Sequence, residues 1–423
     1  LNLTILTLFA VIKSQGFQSS FTSLLIQEKR VISSSSTALL QTPIVDDWKI
    51  LKSGELVGIV RNHPVLADGD VIKTSPLENP EDAMIMKVVK TASGSTYKLG
   101  NPSIIQLRAN SKLSEPALDE KSLKQALAKA KLQYDLNGLI IGNGSYLLAG
   151  KPRKTTSGKS TMYICYRNDG NGLPLSGPPL CAKISSNIEA LRRESKNYER
   201  VSGGGSFVQI YQFYGRAGDN RQLVTQSAII MERGIQDLKT YIEENGPLQG
   251  RALRDCAIAA IQCLQAIHSA NMVWTDMKPE NFVVTDTISK VTIKGIDLES
   301  AIPIGESPVD YSPDACPPEF AEAFLSGDAA YFELQYNYDI WSLGMLLYEL
   351  STGRNYFRGK SPAEITKLLR DPDFVPNTSE VPDEKLRDLI SSCLQPKPEQ
   401  RLSINSILLH SYFLTTGFGP FSF

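Results

Sequence analysis

The chain has 423 residues, 42% of them hydrophobic, which is enough for two or more domains with cores of their own. Forty-four basic and 45 acidic residues leave a formal net charge of −1, so no global field draws the chain to nucleic acid or to an anionic membrane. Six cysteines at 165, 181, 256, 263, 316 and 393 form no CxxC pair, and with three histidines they argue against a zinc site or a disulfide framework and suit a reducing compartment. Cys256 and Cys263, seven apart, read as two buried thiols on one helix face.

Residues 1–44 read as a targeting leader or a disordered tail. LTILTLFAVI, Leu3 to Ile12, is an apolar run too short to span a bilayer, so no integral span is expected in the mature chain. Ser33 to Ser36 are consecutive, and Glu28 is the one acidic residue before Asp46. The apolar run, Phe17 and the Ser-rich, acid-poor stretch resemble the two-part leaders that send proteins into plastids acquired by secondary endosymbiosis. That resemblance implies a plastid location; a single signal peptide or a plain tail is the alternative, with a cytoplasmic location otherwise.

From about 45 to 105 the texture is short strands and turns. LVGIV, DVIKT and MIMKVVKT are β-branched runs, separated by Ser53-Gly54, Asp68-Gly69, Asn79-Pro80 and Ser93-Gly94. This predicts a small all-β module for binding or docking, with no catalytic spacing and a docking partner unknown from sequence. His63, before Pro64, reads as a turn residue. Over 113–135 a connecting helix is expected, with Leu118, Leu123, Leu127 and Leu132 marking one side. From 136 to 415 strand texture comes first and helices after. The fold class is therefore α+β, a β-rich lobe followed by a larger helical lobe.

The stretch DMKPEN, Asp276 to Asn281, carries chemistry. Asp276 can accept or orient a hydroxyl proton. Lys278 projects to the same side of an extended loop and can offset charge on a phosphoryl group. Asn281 offers an amide oxygen to a hard cation such as Mg²⁺. Asp297, sixteen residues beyond Asn281, follows the strand VTIKGI and is placed to hold a metal that bridges phosphates.

These residues resemble the catalytic and metal-binding loops of the eukaryotic-type protein kinase family, and further segments match in order. In the strand Pro179-Leu-Cys-Ala-Lys183-Ile, Lys183 matches the family lysine that contacts the ATP phosphates. Glu194 in EALRRESKNYERV matches the helix glutamate that pairs with it, with Glu189 and Glu199 as alternatives. AIIMERG resembles the strand before the hinge, with Met231 behind the adenine and Glu232 and Arg233 offering backbone groups to its edge. CPPEF with Glu319, Arg401 in PKPEQRLS, DIWSLG with Asp339, and HSYF complete the series. The resemblance covers roughly 140–415. It implies a bilobal kinase fold, ATP and Mg²⁺ as cofactors, and transfer of the γ-phosphate to protein hydroxyls. Lys278 and Ser312, seven before Glu319, favour Ser/Thr substrates over tyrosine.

Four departures qualify it. GNG at 142–144 imitates a glycine loop but lies 41 residues before Lys183. GKPRKTTSGKST, Gly150 to Thr161, fits better between two strands, with Gly158 and the hydroxyls of Ser157 and Ser160 near phosphate. Its GKST ending is no Walker A motif, because position 153 is Arg. Trp274-Thr275 replaces the family's His-Arg. Trp274 is expected to fill an apolar stack beside Leu298 and Tyr198, and Thr275 cannot grip a phosphorylated loop, which predicts altered regulation rather than lost chemistry. Asp297-Leu-Glu replaces Asp-Phe-Gly, and Glu299 removes the residue that most easily takes positive φ. Between Glu319 and Asp339 the chain is longer than the family's usual spacing, as a docking insert or a surface loop. The reading is an active kinase; its rival is a pseudokinase scaffold, motivated by the thin glycine loop and these substitutions.

Overall fold

The computed structural model describes residues 42–80, 83–84, 87–100, 120–155, 158–201, 204–221, 223–287, 290–308 and 311–414. Most of the leader, Ser157 and the start of the connecting helix lie outside the described residues.

The N-terminal module is a five-stranded sheet in the order β3-β2-β1-β5-β4. Its strands are β1 (Ile44–Ile50), β2 (Glu55–Arg61), β3 (Val71–Pro76), β4 (Val88–Lys90) and β5 (Thr96–Leu99). Val45 and Trp48 of β1, on either side of a bulge, and Leu56 and Val60 of β2 enter a core closed by Ile72 and Leu99. The Trp48 indole donates to the Gly100 carbonyl at 2.9 Å, tying the first strand to the end of the last. Of the run MIMKVVKT, Val88–Lys90 forms a strand, and Ile85 and Met86 lie outside the described residues. The flanking strands β1 and β5 were not among the expected runs. Asp46-Asp47 interrupts the apolar pattern of β1, and the register shifts there as a β-bulge, with Asp47 at φ 47°.

Helix α1 (Glu120–Gln133) follows. The expected leucine side is corrected. Leu123 and Leu127 are half-buried and Ala130 is buried, but Leu132 is 87% exposed. Five residues separate Leu127 from Leu132, about 140° off the stripe, whereas Ala130 at three residues stays on it.

A six-stranded antiparallel sheet comes next, in the order β10-β11-β9-β8-β7-β6. It comprises β6 (Leu136–Ile141), β7 (Tyr146–Lys154), β8 (Thr161–Arg167), β9 (Leu180–Ser185), β10 (Ile210–Tyr214) and β11 (Ser227–Glu232). Helix α2 (Ile188–Val201) packs on this sheet through Leu191, Glu194, Asn197, Tyr198 and Val201, one face at helical spacing.

The larger lobe is helical. It contains α3 (Leu238–Asn245), α4 (Gly250–Ser269), α5 (Pro318–Ser326), α6 (Tyr336–Thr352), α7 (Pro362–Leu369), α8 (Glu384–Cys393), and the short α9 (Ile404–Leu408) and α10 (Ser411–Leu414). Helix α6 is buried on every side from Tyr338 to Ser351, so it is the axis on which the lobe packs. Helix α4 turns Cys256, Ala260, Cys263 and Ile267 into the same core, and both cysteines are free, buried thiols. No helix among the described residues is long and apolar enough to cross a membrane.

The module docks on the β-rich lobe. Asp47, turned by the bulge, accepts from the Tyr214 hydroxyl at 2.7 Å and the Ser145 hydroxyl at 3.1 Å. Gly142 belongs to this joint: a Cβ there would lie 2.6 Å from the Tyr214 ring, at φ 60°. The GNG sequence thus serves the β6–β7 turn and its packing on Tyr214. Arg192 on α2 reaches Asp70 at 3.3 Å. A cavity of about 520 Å³ lies between module and α2, lined by Arg61, Asp68, Arg192, Glu199, Phe207 and Phe213.

Candidate active site

Strand β9 carries Lys183 at the middle of the sheet, opposite Ile229 on β11 and Met162 on β8. Its ammonium donates to Glu194 Oε2 at 2.8 Å and to Asp297 Oδ1 at 2.9 Å. The pairing selects Glu194 among the three glutamates of α2, since the Glu189 side chain is 79% exposed and Glu199 is exposed. Burial works against the Lys183 charge, but the two carboxylates outweigh it and hold its pKa above that of an ordinary lysine. Burial also raises the Glu194 carboxyl, against the pull of Lys183. It acts on Asp297 in the same sense, yet Lys183 and, farther off, Lys278 keep Asp297 below the usual carboxylate range. Asp297 is thus an ionised oxygen donor at neutral pH.

The DMKPEN loop leads from strand β12 (Met272–Val273) to β13 (Phe282–Asp286). Lys278 Nζ donates to Asp276 Oδ1 at 2.9 Å and to Ser312 Oγ at 2.5 Å. The Asn281 amide donates to the Asp276 carbonyl at 2.7 Å and to Asp276 Oδ2 at 2.8 Å. Both oxygens of Asp276 are therefore oriented by neighbours, and Ser312 is brought against Lys278. Because its amide nitrogen is spent on Asp276, Asn281 keeps its oxygen for another partner.

Asp339 on α6 holds this loop from below. The Trp274 N–H donates to Oδ2 at 2.9 Å and the Thr275 N–H to Oδ1 at 3.0 Å. His268 Nε2 lies 2.9 Å from Oδ2. Thr275 takes φ 63°, a costly conformation for a β-branched residue, and the carboxylate cradle fixes it. Trp274 is fully buried, 5.4 Å from the Phe207 ring and 5.4 Å from Phe282, in one core with Leu298 and Tyr198. The Thr275 hydroxyl donates to the Ser300 carbonyl at 3.0 Å, so the residue faces inward.

The Asp-Leu-Glu segment turns at Asp297, φ 62°, while Glu299 is not among the positive-φ residues. The glutamate therefore imposes no backbone strain there. Asn197, not singled out in the sequence, and Tyr198, expected only as a stacking neighbour of Trp274, hold this turn. Asn197 donates to the carbonyls of Leu298 and Ala301, each at 2.9 Å, and the Tyr198 hydroxyl accepts from the Asp297 N–H at 2.9 Å. They fall three and four residues after Glu194, so helical spacing alone puts them on the face that carries Glu194.

The hairpin of β7 and β8 lies before Lys183, and its turn is closed by Thr155 and Ser160 through backbone bonds of 3.0 Å and shorter contacts at Gly158. Gly158 takes φ 69°, with open space where a Cβ would stand, and Ser160 is buried. Ser185 on β9 donates to the Lys159 carbonyl at 3.0 Å and pins the tip to the lysine strand. Met231 is buried at the end of β11 opposite Cys181, and Arg233 beyond it is exposed. The Glu232 carboxylate is taken by Lys294 at 2.8 Å. Farther off, Arg401 grips Glu319 with two bonds of 2.7 and 2.6 Å.

The donor set fits a nucleotide with a hard cation: an ionised carboxylate at Asp297, an amide oxygen at Asn281, and an ammonium at Lys183. Comparison with known proteins agrees. The family model described as "Protein kinase domain" matches residues 181–413. Calcium-dependent protein kinase 25 of Arabidopsis thaliana is 26% identical over 71% of the chain and 54% of its own length. The probable serine/threonine-protein kinase PkwA of Thermomonospora curvata is 30% identical over 40% of the chain and 22% of its own length. The dual specificity protein kinase Ttk of Danio rerio is 26% identical over 45% and 20%. The matched stretches thus span about half or less of those proteins.

Proposed function

The chain belongs to the protein kinase domain family, and from that premise we propose that it is an active kinase that transfers the γ-phosphate of ATP to serine and threonine hydroxyls of proteins. The observation that carries this reading is two ordered groups set side by side, the Ile296 N–H next to Asp297 donating to the Asn281 carbonyl at 2.8 Å. Lys183 is held by Glu194 and Asp297, and Asp276 is held by Lys278 and Asn281.

Each residue has a part. Asp276 orients the acceptor hydroxyl and takes its proton. Lys278 offsets charge as the phosphoryl group moves, and Ser312 keeps it near Asp276. Lys183, steadied by Glu194, aligns the α- and β-phosphates. Asp297 and Asn281 would hold Mg²⁺, which when bound neutralises charge on the phosphates. Gly158, Ser160 and the backbone of Met231, Glu232 and Arg233 would border the nucleotide. Lys278 beside Ser312, and relatives named as serine/threonine or dual specificity kinases, support hydroxyls of the Ser/Thr kind. A plastid address belongs to the same reading and rests on the composition of residues 1–41 alone.

A second reading, a scaffold that binds nucleotide or protein without transfer, is favoured by the one described glycine at the tip of the β7–β8 hairpin. One assay decides between them: phosphoryl transfer from labelled ATP with Mg²⁺ to a generic basic protein, with Asp276→Asn as control. Activity that falls about a hundred- to ten-thousand-fold in the variant supports catalysis. Background incorporation in both, with nucleotide bound and a wide substrate panel tried, leaves the scaffold.

A further inference from the structure

Glu299 stands where the family resemblance leads one to expect glycine, and its carboxylate is not turned to solvent alone. One oxygen each from Glu194, Asp297 and Glu299 lies within 4.8 Å of the others. Lys183 takes Glu194 Oε2 and Asp297 Oδ1 and does not reach Glu299, so one ammonium faces two of the three carboxylates. Glu194 is fully buried, and its second oxygen, Oε1, has no hydrogen-bond partner. A buried carboxylate oxygen without a donor is costly, and a cation bound by this group of carboxylates would relieve that cost.

We propose that Glu194, Asp297 and Glu299 form a site for a divalent cation of the hard, oxygen-seeking kind, separate from the ion that Asn281 would share with ATP. The spacing permits it: two oxygen ligands of one ion with bonds of about 2.3–2.4 Å lie at most about 4.8 Å apart, and the three oxygens here fall within that limit. The ligand type suits it too, since three carboxylates with no sulfur or imidazole select magnesium, manganese or calcium over zinc or copper. The ion would tie α2 to the segment after Asp297, the same two elements that Lys183 bridges. It needs no nucleotide, because the fold alone brings the three groups together.

The test is a titration of the full chain with Mn²⁺ in the absence of nucleotide, followed by loss of the free-ion electron paramagnetic resonance signal. One ion bound per chain is expected. Glu299→Gly and the isosteric Glu299→Gln should each weaken it by at least about tenfold. Asn281→Ala should leave it within about twofold. Thermal melts without metal confirm that the variants fold, and added Mn²⁺ should raise the melting temperature of the wild type but not of Glu299→Gln. No binding at millimolar Mn²⁺, or equal binding in both Glu299 variants, overturns the proposal. So does binding lost in Asn281→Ala alone, which would assign the ion to the Asp297–Asn281 pair. None of these outcomes depends on phosphoryl transfer, so the site and the kinase reading fail separately.

Discussion

The indole N–H of Trp274 donates to the backbone carbonyl of Asp297 over 3.2 Å. The backbone N–H of the same tryptophan donates to Asp339 on α6, and its carbonyl accepts from the Ser300 hydroxyl at 2.9 Å. One buried side chain therefore joins the loop of Asp276, the turn of Asp297 and the axis of the helical lobe. A histidine or phenylalanine would fill part of the same stack; the extra ring of tryptophan reaches the carbonyl.

Trp274→Ala should cost about 3–5 kcal/mol, the range for emptying a buried aromatic site, and should lower transfer together with stability. Trp274→Phe keeps an aromatic ring but leaves the Asp297 carbonyl without its donor. It should cost about 1–3 kcal/mol and depress kcat more than the melting temperature. Urea melts and steady-state rates on both variants check this. A Phe variant that matches the wild type in both stability and rate would assign Trp274 a packing role alone.

Activity should not depend on a phosphorylated activation segment. Thr275 is buried, neutral and bonded to Ser300, so the position that would carry an arginine offers no charge to a phosphate. Phosphatase treatment should change the rate by less than about twofold, within the ~0.4 kcal/mol that such a factor represents. Phosphate analysis before and after treatment controls for the state of the chain. Thr275→Arg places a guanidinium in a fully buried position and should destabilise by about 3 kcal/mol or more.

What the sequence made legible follows from chemistry. Asp276, Lys278, Asn281, Asp297, Lys183 and Glu194 could be named because phosphoryl transfer tolerates few residue types at few spacings, and the structure joins them in two hydrogen-bonded groups. The hairpin before Lys183 could be preferred over GNG because the strand-like runs SYLLAG and TMYICYR flank it and GNG lies too far from Lys183. Other features had no local signal. Strand β1 hides behind the paired aspartates of its bulge. The face of α1 was misread because a leucine at a five-residue step resembles one at four. The contact of Asp47 with Tyr214 joins residues 167 apart, and no periodicity reports such a contact. Glu299 was visible, but whether it met a cation or a phosphate depended on the direction of its side chain.

The guanidinium of Arg401 has a side chain with no exposure, and besides Glu319 it donates to the carbonyls of Gln395, Asn337 and Pro396. Removing it leaves a partly buried carboxylate and three carbonyls without donors. Arg401→Ala should therefore cost about 3–5 kcal/mol. Arg401→Lys keeps the charge but loses the paired geometry, and should recover less than half of that. Denaturant unfolding of the two variants tests it, and a loss under 1 kcal/mol for alanine would contradict the role.

The joint between module and lobe should strengthen in mild acid. Burial raises the Asp47 carboxyl from 3.8 to about 6, although Tyr214 and Ser145 pull it down. A carboxyl raised on folding binds its proton more tightly in the folded chain. Its contribution is therefore full below pH 4, falls as pH rises through about 6, and is absent above. Asp47→Asn should keep the main contacts, because Tyr214 and Ser145 both reach Oδ2, which an amide oxygen can replace. Asn also tolerates the positive φ of this position. The variant should be more stable than wild type at pH 7.5 by about 1–2 kcal/mol, below the 3 kcal/mol that the full shift represents, since the group keeps some solvent contact. The two proteins should converge near pH 4. Melting curves across this range decide it: a constant offset between them, or a wild type favoured at pH 7.5, would show that Asp47 is held at the joint as an ion.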